Sequence, residues 1–521
     1  MNRGEMLGRA LERREPWDMV VIGGGAVGMG VAVDAGSRGY EVLLVEQHDF
    51  GKGTSSRSTK LVHGGVRYLE QGAVSLVMEA LKERGLLRQN APHLVTDLAF
   101  VVPNYEWWEA PFYGVGLKVY DLLAGRYGFG RSEILSKDET LARLPTIKTE
   151  GLRGGVVYYD GQFDDARLLI NLAATAVEQG ALVLNYAPAT ALTRDGEGFV
   201  DGIVARDLET GQEFRARARV VINAAGPQSD NVRRLVHADA APLIAPSQGI
   251  HLVFDGSFLP RGTAIMVPHT TDGRVMFAIP WHGHTVVGTT DTPITEVPLE
   301  PRPLEEEIAF VLETAGRYLR RPISRADVLS VFVGVRPLVR SGPGANTASL
   351  SRDHTIHIDP SGLLTIAGGK WTTYRHMAED CVDHAATLAQ LPEKPCVTRN
   401  LNVHGFHRQA DIFGELSVYG SDALLIQDLI RGEPSLAAPL HPALPSCGAE
   451  VVWAARAEMA RAVEDVLARR TRALFLNARA AMDMAPAVAG LLARELGRDD
   501  GWQAQQVEAF RRLAEGYLVS S

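Results

Sequence analysis

Apolar positions along the chain fall into short runs separated by glycine and polar turns. Residues 18–22 (DMVVI) form the first run. Glycines follow, then a helical stretch to about residue 38, then a second run at 41–45. This pattern predicts a strand–helix–strand unit of about 30 residues. Residues 76–90 are predicted helical, and 104–131 are aromatic-rich and broken by glycine. Runs at 182–184, 199–205 and 220–223 predict further strands. Between 249 and 290 the segments GIHLVF, AIMV, RVMFAI and TVVG alternate with Pro, Gly and Asp turns, which predicts an antiparallel sheet inserted into an α/β protein. A strand at 363–367 leads through Gly368 and Gly369 into a helix from about residue 372. A linker lies near 390–405. Beyond it, EVVWAARAEMARAVEDVLARR, ARAAMDMAPAVAGLLAREL and a stretch near 503–517 predict a separate helical domain over 405–521. No repeats or low-complexity tracts occur.

Composition narrows the classes. The 521 residues predict two or three domains. Hydrophobic residues at 46% and charged residues at 22% fit a globular protein with a large core. A net charge of −9 argues against general nucleic-acid binding, so an anionic substrate would need a local cluster of Arg and Lys. Cys381, Cys396 and Cys447 are far apart and form no CxxC, so neither a metal site nor a dithiol pair is expected. Such usage fits a reducing compartment, the cytoplasm. The opening MNRGEMLGRALERREPWD is charged throughout and has no secretory pattern. The longest apolar stretch, 19–33, is too short and glycine-rich to span a bilayer, so any membrane contact would be at the surface.

Gly23, Gly25 and Gly28 make GxGxxG between the first strand and its helix, and Glu46 ends the next strand 18 residues after Gly28. That context predicts a dinucleotide site. Gly23 makes the tight turn, Gly25 lets the backbone reach a pyrophosphate, and Gly28 lets the helix pack on the strand. The helix N-terminus faces the phosphates, and Glu46 accepts from ribose hydroxyls. The hydroxyl-rich run Thr54-Ser55-Ser56-Arg57-Ser58-Thr59-Lys60 supplies donors for phosphate and a flavin edge, favouring FAD over NAD. Asn223-Ala224-Ala225-Gly226-Pro227 and Ala367-Gly368-Gly369-Lys370 are further small-residue turns where backbone can approach a cofactor. The second opens a helix whose amides and dipole could face the flavin pyrimidine ring.

Five ordered motifs carry a resemblance. SSRSTKLVHGGVRYLE (55–70), SQGIHLVF (247–254), IPWHGHTVVGTTDTP (279–293), GVRPLV (334–339) and GGKWTTYRHMAED (368–380) resemble the FAD-dependent, quinone-linked glycerol-3-phosphate dehydrogenases. The likeness runs from about residue 18 to about 380, and the tail from about 450 resembles that family's C-terminal domain. The resemblance implies a glutathione-reductase-like FAD-binding α/β fold with an inserted antiparallel β-sheet substrate domain and a C-terminal helical domain. It divides the chain into FAD-binding parts at 1–100, 141–230 and 346–395. A mainly substrate-binding sheet covers 231–345, a membrane-facing segment 101–140, and the helical domain 405–521. Non-covalent FAD is expected against Gly23, Gly25, Gly28, Glu46, Thr54, Ser55, Ser58, Lys60, Leu61, Gly65, Ala189, Ala225, Gly226, Gly334, Gly369 and Thr372. Trp371 stands where an aliphatic residue is expected. No EF-hand loop is present, and no metal is expected.

Glycerol 3-phosphate is a dianion whose oxidation removes a hydride from C2 and a proton from its hydroxyl. The site therefore needs cations, a proton acceptor and a flavin facing C2. Arg67, Arg336, Arg352 and Lys370 are the candidate cations, since Arg binds phosphate through two oxygens at once. Tyr68 could bond the phosphate or line the pocket. His251 is the proton acceptor by type, against a reading as a structural strand histidine. Lys370 serves the phosphate or polarises the flavin. His63 is expected beside the flavin, bonding backbone. His251, Arg336 and Lys370 form the expected catalytic set. Alternatives are a glycerol-3-phosphate oxidase using oxygen and an amine or amino-acid oxidase of the same fold. Expected partners are glycerol 3-phosphate, a quinone, a membrane surface and a second copy of the chain in a homodimer, with no nucleic acid. The resemblance places the protein in the cytoplasm, peripherally on the inner face of the cell membrane. Trp107, Trp108, Phe112, Tyr113, Leu117, Tyr120, Leu122 and Leu123, with Lys118, Arg126 and Arg131, are the expected docking segment.

Overall fold

A computed structural model describes the chain except for residues 71, 107, 269, 271–274, 341–352 and 521 and the side chains of Arg67 and Glu70. The first apolar run is the strand Trp17–Ile22, which pairs in parallel with Val42–Val45 on one side and Glu213–Asn223 on the other. Leu182–Leu184 and Leu364–Gly368 extend this parallel sheet. His354–Ile358 and the Ala189–Arg194 and Val200–Arg206 strands add antiparallel pairings. The central strands are continuous apolar runs because helices cover both faces of such a sheet. Met19, Val20 and Val21 are fully buried. Helix Ala26–Ser37 is buried nearly all round and packs against helices Asp165–Glu178 and Tyr374–Leu388.

The second sheet is larger and mixed. Ile244–Asp255, Ala264–Val267, Met276–Trp281, His284–Gly288 and Ser330–Val339 form it with Leu61–Val62, Val95–Asn104, Glu133–Ser136 and Gly154–Phe163. Its pairings are antiparallel apart from Ala264–Val267 on Val95–Asn104. The strand-dense region after residue 249 matches its expected elements. Residues 61–163, divided in sequence between cofactor-binding and membrane-facing parts, supply four strands to this sheet. Their long apolar runs do not reveal which sheet receives them. Only long-range pairing decides that.

The C-terminal region contains helices Gly448–Ala457, Ala478–Leu496 and Asp500–Ala514. The single helix expected over 450–470 is broken. Glu458 ends the first turn run, Met459 takes a positive φ of 58°, and regular structure resumes at Asp465–Arg470. The break points side chains inward: Glu458 pairs with Arg167, and Asp49 pairs with both Arg469 and Arg470. Buried ion pairs thus join this region to the Asp165–Glu178 helix and to the loop that follows Val42–Val45. It also packs on the second sheet through Leu474, Phe475 and Met484.

Candidate active site

The glycine turn is built by close approach of backbone. Gly23 has φ 114°, and a Cβ there would meet the Ala224 carbonyl at 2.7 Å. A Cβ at Gly28 would lie 1.9 Å from the Gly23 carbonyl oxygen. Gly25 differs. Among the described residues its Cβ would meet the Ser55 hydroxyl alone, at 3.0 Å, so the space in front of it is open for a ligand. Ser55 Oγ accepts the Ala26 amide at 2.9 Å, fixing the first turn of the helix. Glu46 Oε2 accepts from Gly24 N at 2.7 Å and Oε1 from His48 N at 2.9 Å. Burial pushes this carboxyl up, against those amide bonds. Each oxygen keeps a lone pair for a further donor. Ala189 starts a strand just after Ala187, whose amide donates to the Glu46 carbonyl at 2.7 Å.

The hydroxyl-rich loop is more self-contained than its sequence implies. Thr54 Oγ1 donates to the Val335 carbonyl at 2.6 Å and Ser58 Oγ to Asp165 at 2.7 Å. Their donors are taken by protein acceptors, so these side chains shape the loop. Lys60 departs furthest from expectation. It is fully buried, with Nζ 2.7 Å from Asp165 and 2.8 Å from the Ser56 carbonyl, where Arg472 also pairs with Asp165. Burial pushes the ammonium down to about 7, with Asp165 opposing. Its charge is spent on this internal cluster, not offered to a phosphate. Leu61 is buried in a strand opposite Gln162.

His251 and Arg336 come together on neighbouring strands. His251 stacks on Phe332 with ring centroids 4.8 Å apart and contacts Thr59 Oγ1 through Nε2 at 2.9 Å. Its Nδ1 is buried and has no hydrogen-bond partner among the described residues. Burial, then the charges of Lys60 and Arg336, pushes its pKa well below 6.5. The ring is therefore neutral and presents an unused polar atom. Gly288 lies opposite His251, and Thr289, next along the chain, accepts from the Arg336 guanidinium through Oγ1 at 3.2 Å. Arg336 donates to the Thr290 carbonyl at 2.9 Å and to Asp291 Oδ1 at 3.2 Å. Ser247 Oγ donates to the same Asp291. The guanidinium is thus oriented, with its side chain 24% exposed. Thr59, Thr289, Thr290, Phe332 and Asp291 were not among the expected site residues. The TTDTP run next to a strand was the available signal for Asp291.

Lys370 and Tyr68 also meet, with Nζ 3.9 Å from the ring centroid. Thr372 Oγ1 accepts the His63 amide at 3.2 Å, holding the HGG turn with Gly65 against the start of the 374–388 helix. Trp371 donates from Nε1 to the Ser55 carbonyl at 2.8 Å, so its indole bridges the hydroxyl loop and that helix. Gly369, Ala225 and Gly226 stand at the ends of adjacent strands of the first sheet, and Gly334 lies beside Arg57. The Arg67 side chain, Arg352 and Trp107 lie outside the described residues.

Comparison with known proteins adds to this geometry. Residues 18–375 match the model for "FAD dependent oxidoreductase", and 364–505 match "C-terminal domain of alpha-glycerophosphate oxidase". A human mitochondrial glycerol-3-phosphate dehydrogenase is 41% identical over 96% of this chain and 74% of its own. That of Arabidopsis thaliana is 41% identical over 97% of this chain and 87% of its own. The solved glycerol-3-phosphate dehydrogenase of Bacillus halodurans, complexed with FAD, superposes with a TM-score of 0.80 at 30% identity. The alignment covers 99% of this chain and 98% of that one. A glycerophosphate oxidase of Mycoplasma pneumoniae, at 16% identity and a TM-score of 0.57, shares the fold.

Proposed function

The chain belongs to the FAD dependent oxidoreductase family, and from that premise we propose how its residues act as a glycerol-3-phosphate dehydrogenase. The enzyme oxidises sn-glycerol 3-phosphate to dihydroxyacetone phosphate. The single observation that carries the chemistry is His251: a buried, neutral imidazole whose Nδ1 lacks a protein partner, beside an oriented guanidinium. Bound FAD is the two-electron acceptor for the C2 hydride. The open face of Gly25, the Glu46 carboxylate and the turns at Ala225–Gly226 and Gly369 fit that cofactor. Arg336, held by Asp291, and Lys370, held over Tyr68, bind the phosphate dianion. Arg67 and Arg352 belong to the same reading. His251 takes the proton of the C2 hydroxyl. A base whose pKa lies well below 6.5 is a weak acceptor. Burial is the larger cause of that depression; an incoming dianion opposes the smaller ones, the Lys60 and Arg336 charges, and so strengthens the base in part.

The fold is read as the glutathione-reductase-like FAD fold with the second sheet inserted as the substrate domain. Electrons pass to a quinone, and the protein docks on a membrane through helix Glu109–Ala124. An exposed stripe of Phe112, Val115, Val119 and Leu122 on that helix, with Lys118 among them, supports this. Among the described residues no helix is long and apolar enough to cross a membrane.

The test is to add glycerol 3-phosphate to the purified protein without oxygen. Loss of the flavin absorbance is expected, with glycerol far less effective. An unbleached flavin would sink the reaction, and peroxide release in air without quinone would replace quinone by oxygen.

A further inference from the structure

Thr59 Oγ1 meets His251 Nε2 at 2.9 Å, while Nδ1 of the same ring is buried without a hydrogen-bond partner among the described residues. A neutral imidazole has one donor nitrogen and one acceptor nitrogen. The partner of one nitrogen therefore decides what the other can do. We propose that Thr59 is a positioning residue that keeps the ring proton of His251 on Nε2, so that Nδ1 is the atom that takes the proton of the C2 hydroxyl. The inference rests on the reading of His251 as the base, and adds what leaves its free nitrogen able to accept.

Three observations converge. The first is how firmly the Thr59 oxygen is held. Both chain neighbours of Thr59 are anchored on one carboxylate. Ser58 donates to Asp165 Oδ2 from its amide at 3.0 Å and from Oγ at 2.7 Å, and Lys60 Nζ donates to the same oxygen at 2.7 Å. Arg472, from the C-terminal region, holds the other Asp165 oxygen at 3.0 Å. Lys60 takes a φ of 65°, a conformation that few residues with a Cβ adopt. The buried cluster around Lys60 thus fixes the backbone that presents Thr59, and the β-branched side chain adds its own restriction at χ1.

The second is the ring. His251 has Phe332 beside it on one neighbouring strand and Gly288 on the other. It lies 12° from parallel to the Phe332 ring, and a Cβ at Gly288 would meet its Cδ2 at 2.5 Å. Packing on both sides opposes a ring flip that would exchange the two edges.

The third is the kind of group at Nε2. A carboxylate there would draw the ring toward its charged form before substrate arrives. A hydroxyl carries no charge, and its oxygen accepts from Nε2 in the neutral ring and in the imidazolium alike. That suits a ring that burial keeps neutral. Were Thr59 to donate to Nε2 instead, Nδ1 would carry the proton and could not take another. The step balances: the hydroxyl O–H bond breaks as the Nδ1–H bond forms, the C2 hydride leaves with its electron pair for FAD, and the Nε2–H bond stays whole.

The experiment uses the FAD-loaded enzyme. Thr59→Val removes the oxygen at nearly constant shape, and Thr59→Ser keeps it. Mixed with glycerol 3-phosphate without oxygen, Thr59→Val should reduce its flavin at least about ten-fold more slowly, as loss of one hydrogen bond to a charged ring implies. Its FAD content and substrate Kd should change little, and Thr59→Ser should recover most of the rate. If Thr59→Val does not hold FAD, the wild type decides alone. With isotope-labelled histidine, nuclear magnetic resonance should show His251 protonated at Nε2 and bare at Nδ1, its signals identified by their absence from His251→Ala. The opposite tautomer overturns the proposal. Normal flavin reduction in Thr59→Val, with His251→Ala slow, also overturns it and leaves the base reading standing. Normal reduction in His251→Ala overturns both.

Discussion

A methyl group at Gly28 would sit 1.9 Å from the Gly23 carbonyl oxygen, whereas one at Gly25 would meet the Ser55 hydroxyl at 3.0 Å. The two glycines are therefore expected to fail differently. Gly28→Ala should destabilise the fold by about 1–3 kcal/mol or more, as overpacking does. Gly25→Val should leave a folded protein that purifies without flavin. Thermal melting and flavin absorbance per protein separate the two. A yellow Gly25→Val enzyme would remove Gly25 from the cofactor site. His251 gives a second prediction at this scale. Its neutral form is the base, and burial holds its pKa well below 6.5. The kcat/KM profile for glycerol 3-phosphate should thus stay level as pH falls through 6.5 and decline only further down. His251→Ala should slow flavin reduction in a single turnover more than it weakens substrate binding. Normal reduction in that variant would make His251 structural.

The sequence predicts a dense apolar and aromatic patch over 104–131, and the structure divides the helix within it, Glu109–Ala124, into two faces. Tyr113, Leu117 and Tyr120 are buried, and the Tyr120 hydroxyl accepts from the Gly64 amide at 2.8 Å while donating to Asp160 at 2.7 Å. That face positions the HGG turn. Phe112, at 53% exposure, and Leu122, at 80%, are on the other face. Phe112→Ser/Leu122→Ser should change thermal stability little, since exposed substitutions stay within roughly 0.5 kcal/mol. Binding to anionic vesicles should fall by roughly ten-fold or more, because each such side chain is worth roughly 1.5–3 kcal/mol when buried. Co-sedimentation equal to wild type would leave docking to another surface. Period alone could not assign these faces, because both are apolar.

Across the whole molecule, His404 joins the Asp165–Glu178 helix to the C-terminal region through Glu178, with Nδ1 at 2.5 Å, and Asp422, with Nε2 at 2.7 Å. Burial alone would lower its pKa, but the two carboxylates outweigh it and raise it to about 9. The unfolded chain has a pKa near 6.5. A raised folded value means the stabilisation is complete below about pH 6.5 and lost as pH rises through about 9. The wild type should therefore lose more Tm than His404→Gln across that window. Parallel curves for the two proteins would show that the clamp contributes nothing.

Local sterics made the glycine turn, the strand runs and the helix starting near residue 372 legible in the sequence. A missing Cβ or a continuous apolar run constrains its own few residues, whatever the rest of the chain does. Residue type also marked His251, Arg336 and Lys370 as chemistry-bearing. Their environments were settled only by packing. Asp291 orients Arg336 from 45 residues away. Lys60 loses its expected role to Asp165 and Arg472, 105 and 412 residues along the chain (165 − 60 and 472 − 60). The neutral state of His251 comes from burial between strands and from charges on other elements. Charge, solvation and donor availability depend on distances in space, and those are fixed only when remote segments close around the site.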